Sequence, residues 1–431
     1  MATIFGLSDP GSRKINEDAC YFDINEGLAI VCDGISASGG GDVASAVAIE
    51  TIKNKIHANQ KNIADYKQNP SAEKRHKLTS FMDEIIAEAS RTIFQQAQKN
   101  PKQSGMCTTV DVLLDIGTHM ILGHVGSGRC YLWREKNLHL ISEDHTQLAE
   151  FRKKGKTFPP GVEESALAKR ITRAVGYGEQ VKVDVLEIEL MADDRFLLCT
   201  DGVWASLTNE ELTKLLTNAV PEKAVQKMMD YLKVLQPKDN YTALITEPSA
   251  APFTDEHTKE TSAEAKIQLA GKIPVFAYLS YPELIKLMSI SELFKVSSNT
   301  IVCKEGEPGD EMMIILSGLL EVQIQGKKIA ELGAGQAVGE MSMIEGGARS
   351  ATLVAKVNTN LIAFSRVKLY SLLREEPELC VKFLWGLTGE INRRLRATSN
   401  QLAGKKIAGV QNEAPKQGKE LLPFIYRREL T

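Results

Sequence analysis

The sequence predicts an α+β protein built as two domains. Three observations carry this: short apolar runs that end at turn residues, stretches of helical period between them, and one polar, aperiodic break. The chain has 431 residues, and at roughly 100–200 residues per domain it holds two or three domains. Its 43% hydrophobic and 25% charged residues suit a chain that buries a core and exclude a disordered or fibrous one.

The elements follow in order. Residues 28–32 read as a buried strand stopped by Asp33-Gly34. Residues 110–116 and 120–125 read as a hairpin turned at Gly117-Thr118-His119. Residues 195–200 form a further strand, stopped by Asp201-Gly202, and 241–246 closes the region. Residues 42–55, 81–97, 207–216 and 224–235 carry apolar side chains at helical spacing. The first domain is therefore expected over 1–247. Residues 248–265 are polar and aperiodic and read as a linker. Beyond it, 266–296 reads as helical, 300–366 as short strands parted by glycines, and 376–402 as helical, which places a second domain over 266–402. Residues 403–431 read as a weakly basic, mobile tail.

Charge and cysteine usage narrow the function classes. Lys+Arg number 52 against 55 Asp+Glu, a net charge of -3, which gives no basic excess for nucleic acid or an anionic membrane. No apolar run approaches the ~20 residues that span a bilayer. The opening MATIFGLSDPGSRK lacks the basic-then-apolar order of a signal peptide. Seven cysteines (Cys20, Cys32, Cys107, Cys130, Cys199, Cys303 and Cys380) include no C-x-x-C pair. They read as reduced thiols of a cytoplasmic protein.

Five acidic residues of the first domain stand in unusual places. Glu17 and Asp18 follow Arg13; Asp33 and Asp201 end apolar strands; Asp239 precedes one. Any single Asp-Gly pair reads as a turn. Carboxylates at the exits of several strands are also hard oxygen ligands on a rigid frame, suited to Mg²⁺ or Mn²⁺. Seven segments in order resemble the PPM family, the type 2C metal-dependent serine/threonine phosphatases: SDPGSRKINEDACYF, LAIVCDGISASGGGDVAS, MCTTVDVLLDIGTHMILGHVGSGRCYL, LHLISEDHT, ITRAVG, FLLCTDGVWASL and DNYTALI. The resemblance covers about residues 4–247. It implies an antiparallel β-sandwich flanked by helices, and an enzyme acting on phosphoserine and phosphothreonine proteins with two divalent cations, Mn or Mg. In that pattern Asp33 bridges the two ions, the Gly34 carbonyl and Glu17 serve one, and Asp201 and Asp239 hold the other. Asp18 orients the attacking water and Arg13 grips the substrate phosphate as a bidentate fork.

Two positions depart from the pattern. Ile35 stands where eukaryotic members have a His and bacterial members a Met, which leaves leaving-group protonation to water. Ser127 replaces the Asp of the family's Gly-Asp-Ser-Arg, the carboxylate that serves a third ion. Ser127 motivates the rival reading, a catalytically weak or inactive pseudo-phosphatase scaffold. Lys153, Lys154 and Lys156 lie where the family has its flap, and read as a solvated basic loop or a phosphoprotein contact.

In the second domain, Gly339-Glu340-Met341-Ser342 starts a short helix, with Arg349-Ser350 following. A helix N-terminus and an Arg suit a phosphate, and a Glu suits a ribose hydroxyl. This segment, with the hairpin at 305–310, is similar to the cyclic nucleotide-binding domains, especially the bacterial catabolite-activator type, over about residues 266–402. The resemblance implies a β-roll with flanking helices. In that pattern Glu340 would bind the ribose, and Arg349, Ser350 and the amides of Gly339 to Ser342 would bind the cyclic phosphate. It favours cAMP over cGMP, although one hydrogen bond at Ser350, worth ~0.5–1.5 kcal/mol, does not decide between them. The helix at 376–402 presents Phe383, Leu384, Leu387, Ile391 and Leu395 as an apolar face, suited to docking on the roll or to reporting occupancy. No helix pair follows it to read DNA. The expected whole is a protein phosphatase regulated by a cyclic nucleotide.

Overall fold

A computed structural model of the protein describes residues 2–36, 39–153, 163–217, 220–248, 263–271, 273–340 and 347–402. Most of the expected linker, Lys154, Lys156, Met341, Ser342 and the tail lie outside the described residues. The chain separates into two compact units that part within 249–262. No described helix is long and apolar enough to cross a membrane.

The first unit holds two antiparallel sheets. One runs in the order Thr3–Asp9, Tyr241–Glu247, Arg195–Cys199, Arg129–Arg134, Asn137–Leu140. The other runs Asp18–Asp23, Leu28–Ile35, Val110–Asp115, His119–Val125, Asp184–Glu189, with Cys107–Thr108 on the end of Leu28–Ile35. The first strand pairs with the last, Thr3 opposite Glu247, so the unit closes on itself. The sheets stack, with Thr3–Asp9 and Tyr241–Glu247 against Asp18–Asp23. Helices cover their outer faces. Gly41–Ala58 buries Ala44, Ala48, Ile52 and Ile56, four residues apart and therefore on one stripe. Ala72–Lys99, capped by the Ser71 side chain, adds Met82, Ile86, Ala89 and Ile93 to the same core. Asn209–Leu216 and Pro221–Leu235 pack Leu212, Leu216, Val225, Met228 and Leu232 on the other sheet. Covered on both faces, Val110–Asp115 is buried at all six positions and loses the alternation of a half-exposed strand.

The structure corrects two strand ends. Asp33-Gly34 does not stop its strand: Leu28–Ile35 runs through it because Gly34 and Ile35 pair with Thr108 and Cys107. Asp201 opens a helical turn, Asp201–Trp204, rather than a simple turn.

The second unit stacks two four-stranded antiparallel sheets, in the orders Ser291–Val296, Thr359–Ser365, Glu311–Ser317, Ala337–Val338 and Ile301–Cys303, Thr352–Ala355, Leu319–Ile324, Lys327–Gly333. Residues 266–296 are not helical throughout: Ala263–Ala270 and Tyr281–Ser289 are helices, but Ser291–Val296 is a strand, paired along its length with Thr359–Ser365. Arg366–Glu375 and Pro377–Leu402 complete the helical side. Phe276, Phe364 and Phe383 cluster with ring centroids 6.3–6.4 Å apart and fasten the last helix to the roll. The buried face of that helix is narrower than its spacing predicts. Phe383 and Leu387 are buried, whereas Leu384 and Leu395 are 46% and 62% exposed.

Candidate active site and ligand pocket

Register alone brings two of the expected carboxylates together. Asp18 is the antiparallel partner of Asp33, which places both side chains on one face. Asp201 and Asp239 come from neighbouring strands of the other sheet: Asp201 follows Arg195–Cys199 and Asp239 precedes Tyr241–Glu247. Hydroxyls join the two sheets. Thr200 Oγ1 and Thr242 Oγ1 donate to Asp18 Oδ2 at 2.8 and 2.7 Å. Thr109 N and Thr108 Oγ1 both donate to the Asp33 carbonyl at 2.9 Å, and Asp33 N donates to Thr109 Oγ1.

The carboxylates are short of positive charge. Burial, then the charges of Asp201 and Asp239, push the Asp18 carboxyl up to about 7 against two lowering hydroxyl bonds. Burial and the same neighbours, with Asp18, raise Asp33 well above the carboxylate range. Burial and Asp239 lift Asp201 to about 6. The second oxygen of Asp18, Oδ1, is buried without a hydrogen-bond partner. Lys169 and Arg13 oppose the rise at Asp201, and Arg13 touches the set directly. It sends Nη2 to Asp239 Oδ1 at 2.7 Å and Nη1 to Glu17 Oε2 at 3.3 Å.

Glycines let the backbone close over this set. A Cβ on Gly34 would overlap the Gly41 carbonyl and the Glu17 carbonyl. Ser36 Oγ donates to Glu17 Oε1 at 2.9 Å. Asn240, which strand patterning did not single out, is 2% exposed and touches the backbone of the Arg13 loop. Its only sequence signal is its place beside Asp239. Among the described residues no three His, Cys, Asp or Glu side chains converge as a ready cage. The set is an open basin of buried like charge with one unpartnered oxygen, and that donor chemistry fits hard divalent cations.

In the second unit a cavity of about 100 Å³ is lined by Gly339, Glu340, Arg349 and Ser350 together with Val322 and Leu353. The structure thus brings together the four described residues expected to hold a cyclic nucleotide. Arg349 Nη1 donates to the Glu311 carbonyl at 2.7 Å. Gly339 takes φ +78 beside that guanidinium, where a Cβ would strike it. Arg394, from Pro377–Leu402, was not singled out in the sequence. It reaches the cavity and pairs Nη2 with Glu340 Oε1 at 2.5 Å.

The family model described as protein phosphatase 2C matches residues 6–247, more than half of the chain. The chain belongs to the protein phosphatase 2C family. A cyclic nucleotide-binding domain model matches residues 293–376. The serine/threonine phosphatase stp of Listeria monocytogenes is 24% identical over 237 residues, 52% of this chain and 85% of that protein. PstP of Mycobacterium tuberculosis is 27% identical over 212 residues, 49% of this chain and 38% of that protein. The crystal structure of the M. tuberculosis phosphatase PstP/Ppp superposes with a TM-score of 0.50 at 24% identity, over 57% of this chain and 98% of that one, which shows the shared fold.

Around the phosphatase carboxylates lies a supporting layer. The loop that carries Ser127 crosses from one sheet to the other. Ser127 O accepts from Trp204 Nε1 at 3.0 Å, while its hydroxyl is buried and unpartnered. Arg129 stacks on the Trp204 ring at 3.7 Å and forks onto Asp144. Lys153 of the flap pairs with Glu143 at 2.8 Å, a surface contact. His145 accepts from Gly126 N at Nδ1, 2.9 Å, which leaves its proton on Nε2 facing Asp184 Oδ2 at 3.0 Å. Burial outweighs Asp184 and depresses this imidazole to about 4.

Two outcomes follow. Gly34→Ala forces a Cβ into two carbonyls and is expected to destabilise the first unit by about 1–3 kcal/mol; an unchanged urea midpoint in Trp fluorescence would refute the packing argument. His145 is neutral when folded down to about 4 but titrates near 6.5 when unfolded. The unfolded state therefore binds the extra proton between those values, and stability falls as pH drops from 6.5 to 4, by roughly 3 kcal/mol from this group. His145→Gln is expected to flatten that slope in denaturation curves taken at pH 7 and pH 4.5.

Proposed function

We propose that this chain is a metal-dependent serine/threonine phosphoprotein phosphatase whose output is set by a cyclic nucleotide bound to the second unit. The observation that carries the first half is the gathering of Asp18, Asp33, Asp201 and Asp239 beside the Arg13 fork. Asp33, the Gly34 carbonyl, Glu17, Asp201 and Asp239 would hold two divalent cations, Mn or Mg. Bound there, such cations supply Lewis acidity toward water and the phosphoryl oxygens.

The protein's own groups do the rest. Arg13 has a planar fork that matches two phosphate oxygens, and it is half exposed at the basin rim. Asp18 has Oδ2 held by two threonine hydroxyls, so Oδ1 is the atom free to accept a hydrogen bond from water. Ile35 offers no proton, so the leaving alkoxide takes one from solvent. The retained carboxylates favour an enzyme over a scaffold despite Ser127.

For the second half, Glu340 would take the ribose hydroxyl and Arg349 with Ser350 the cyclic phosphate, with cAMP preferred over cGMP. The residues at 341 and 342 are assigned to the same phosphate by position only. Because Glu340 already receives Arg394 of the last helix, a ribose hydroxyl arriving there bears directly on how that helix is held. Coupling of ~1–3 kcal/mol suffices for a 5–150-fold change in rate.

Hydrolysis of a phosphoserine peptide by the full chain is expected to require Mn²⁺ or Mg²⁺ and to fall at least 100-fold in Asp201→Asn. Equal inactivity of both proteins would favour the scaffold. Calorimetry is expected to show one cAMP bound per chain and none in Arg349→Ala. A hydrolysis rate that is unchanged at saturating cAMP would remove the regulatory half.

A further inference from the structure

Asn240 stands where three segments of the phosphatase basin meet. Its Oδ1 accepts from Glu17 N at 3.0 Å. Its Nδ2 donates to the carbonyls of Pro10 at 2.9 Å and Ile15 at 3.1 Å. Two carbonyls on one side and an N–H on the other fix the amide's orientation without ambiguity. Its own backbone N–H donates to Asp239 Oδ1 at 2.9 Å. Its carbonyl lies so close to Gly202 that a Cβ there would overlap it, next to Asp201. One side chain and its peptide group therefore touch the loop of Arg13 and Glu17, the Asp239 carboxylate and the turn of Asp201.

The loop at 10–17 has other ties: Arg13 pairs with Asp239 at 2.7 Å, Asn16 Nδ2 donates to Ser8 Oγ at 2.8 Å, and the Glu17 carbonyl accepts from Gly34 N and Ser45 Oγ at 3.1 and 2.8 Å. Arg13 is 43% exposed and Ile15 62%, so no apolar core holds it. Ser12 adds a backbone bond and a hydroxyl bond to Pro237 O, at 3.3 and 2.7 Å. Gly11, at φ +59, packs against the Asp239 carbonyl. The Asn240 amide ties Pro10, Ile15 and Glu17 together at one point.

We propose that Asn240 is a positioning residue that holds the phosphate-gripping loop against the Asp239 strand, and so sets how tightly phosphate is bound. The inference rests on the phosphatase reading for its consequence, though not for its geometry. Aspartate cannot replace it: a carboxylate still accepts from Glu17 N but offers no donor to the Pro10 and Ile15 carbonyls, and adds charge beside Asp239. Alanine loses all three bonds.

The full chain, Asn240→Ala and Asn240→Asp are compared in two ways. Without metal or substrate, trypsin is expected to cut after Arg13 or Lys14 at least tenfold faster in both variants, at temperatures well below their melting. With Mn²⁺, the inhibition constant for inorganic phosphate is expected to rise at least tenfold in both, with melting temperatures recorded so that only folded variants are compared. Should alanine prevent folding, the isosteric aspartate variant carries the test. Wild-type cleavage rates and phosphate inhibition in a folded variant would overturn the proposal. A wild-type chain with no Mn²⁺-dependent hydrolysis would instead sink the phosphatase reading, and leave the trypsin result to decide the loop's anchorage.

Discussion

The first unit is organised around like charge held out of water. Asp18, Asp33, Asp201 and Asp239 are brought together by two sheets, and their mutual repulsion adds to burial in raising carboxyl pKa values. Such a cluster destabilises the fold unless something holds it. The threonine hydroxyls of both sheets do part of this, and Arg13 does part through two ion pairs. The remaining deficit is what makes the place chemically useful. A fold that neutralised every carboxylate internally would have no affinity left for cations.

The sandwich supplies the rigidity that the cluster needs. Pairing the first strand with the last brings residues more than 200 positions apart into one basin. The glycines at 34 and 202 then let backbone meet backbone where any side chain would intrude. A second layer of buried histidines and acids lies beneath. His124 donates from Nε2 to the Glu143 carbonyl and meets Asp111 at 2.7 Å from Nδ1. Burial opposes the charge of His124, but Asp111 lifts its pKa overall. Gly128 leaves room for that aspartate, since a Cβ there would overlap Asp111 Oδ2.

Much of this was legible in the sequence, for physical reasons. Apolar runs and turn residues are local signals, so the strands at 110–116, 120–125 and 241–246 and the helices covering the sheets lie where spacing puts them. The carboxylates were legible as a set because their order along the chain follows a family pattern. Less legible was everything decided by pairing at a distance. Asp33-Gly34 looks like a stop until Cys107–Thr108 extends the sheet beside it. Asn240 looks like a turn residue until its amide meets Pro10, Ile15 and Glu17. Arg394 is one of several exposed-looking arginines on a helix until tertiary packing aims it at Glu340. Residues 291–296 carry enough apolar content for a helix, and only the partner Thr359–Ser365 makes them a strand.

The contact between Arg394 and Glu340 has one more implication. The helix Pro377–Leu402 is fastened at its base by a greasy aromatic cluster and near its far end by an ion pair. These two fastenings respond to different features of the medium. Salt leaves the aromatic contacts in place and weakens the ion pair, which is partly exposed. Ionic strength then acts on the same carboxylate that a ribose would approach, and so on how firmly the far part of the helix is held.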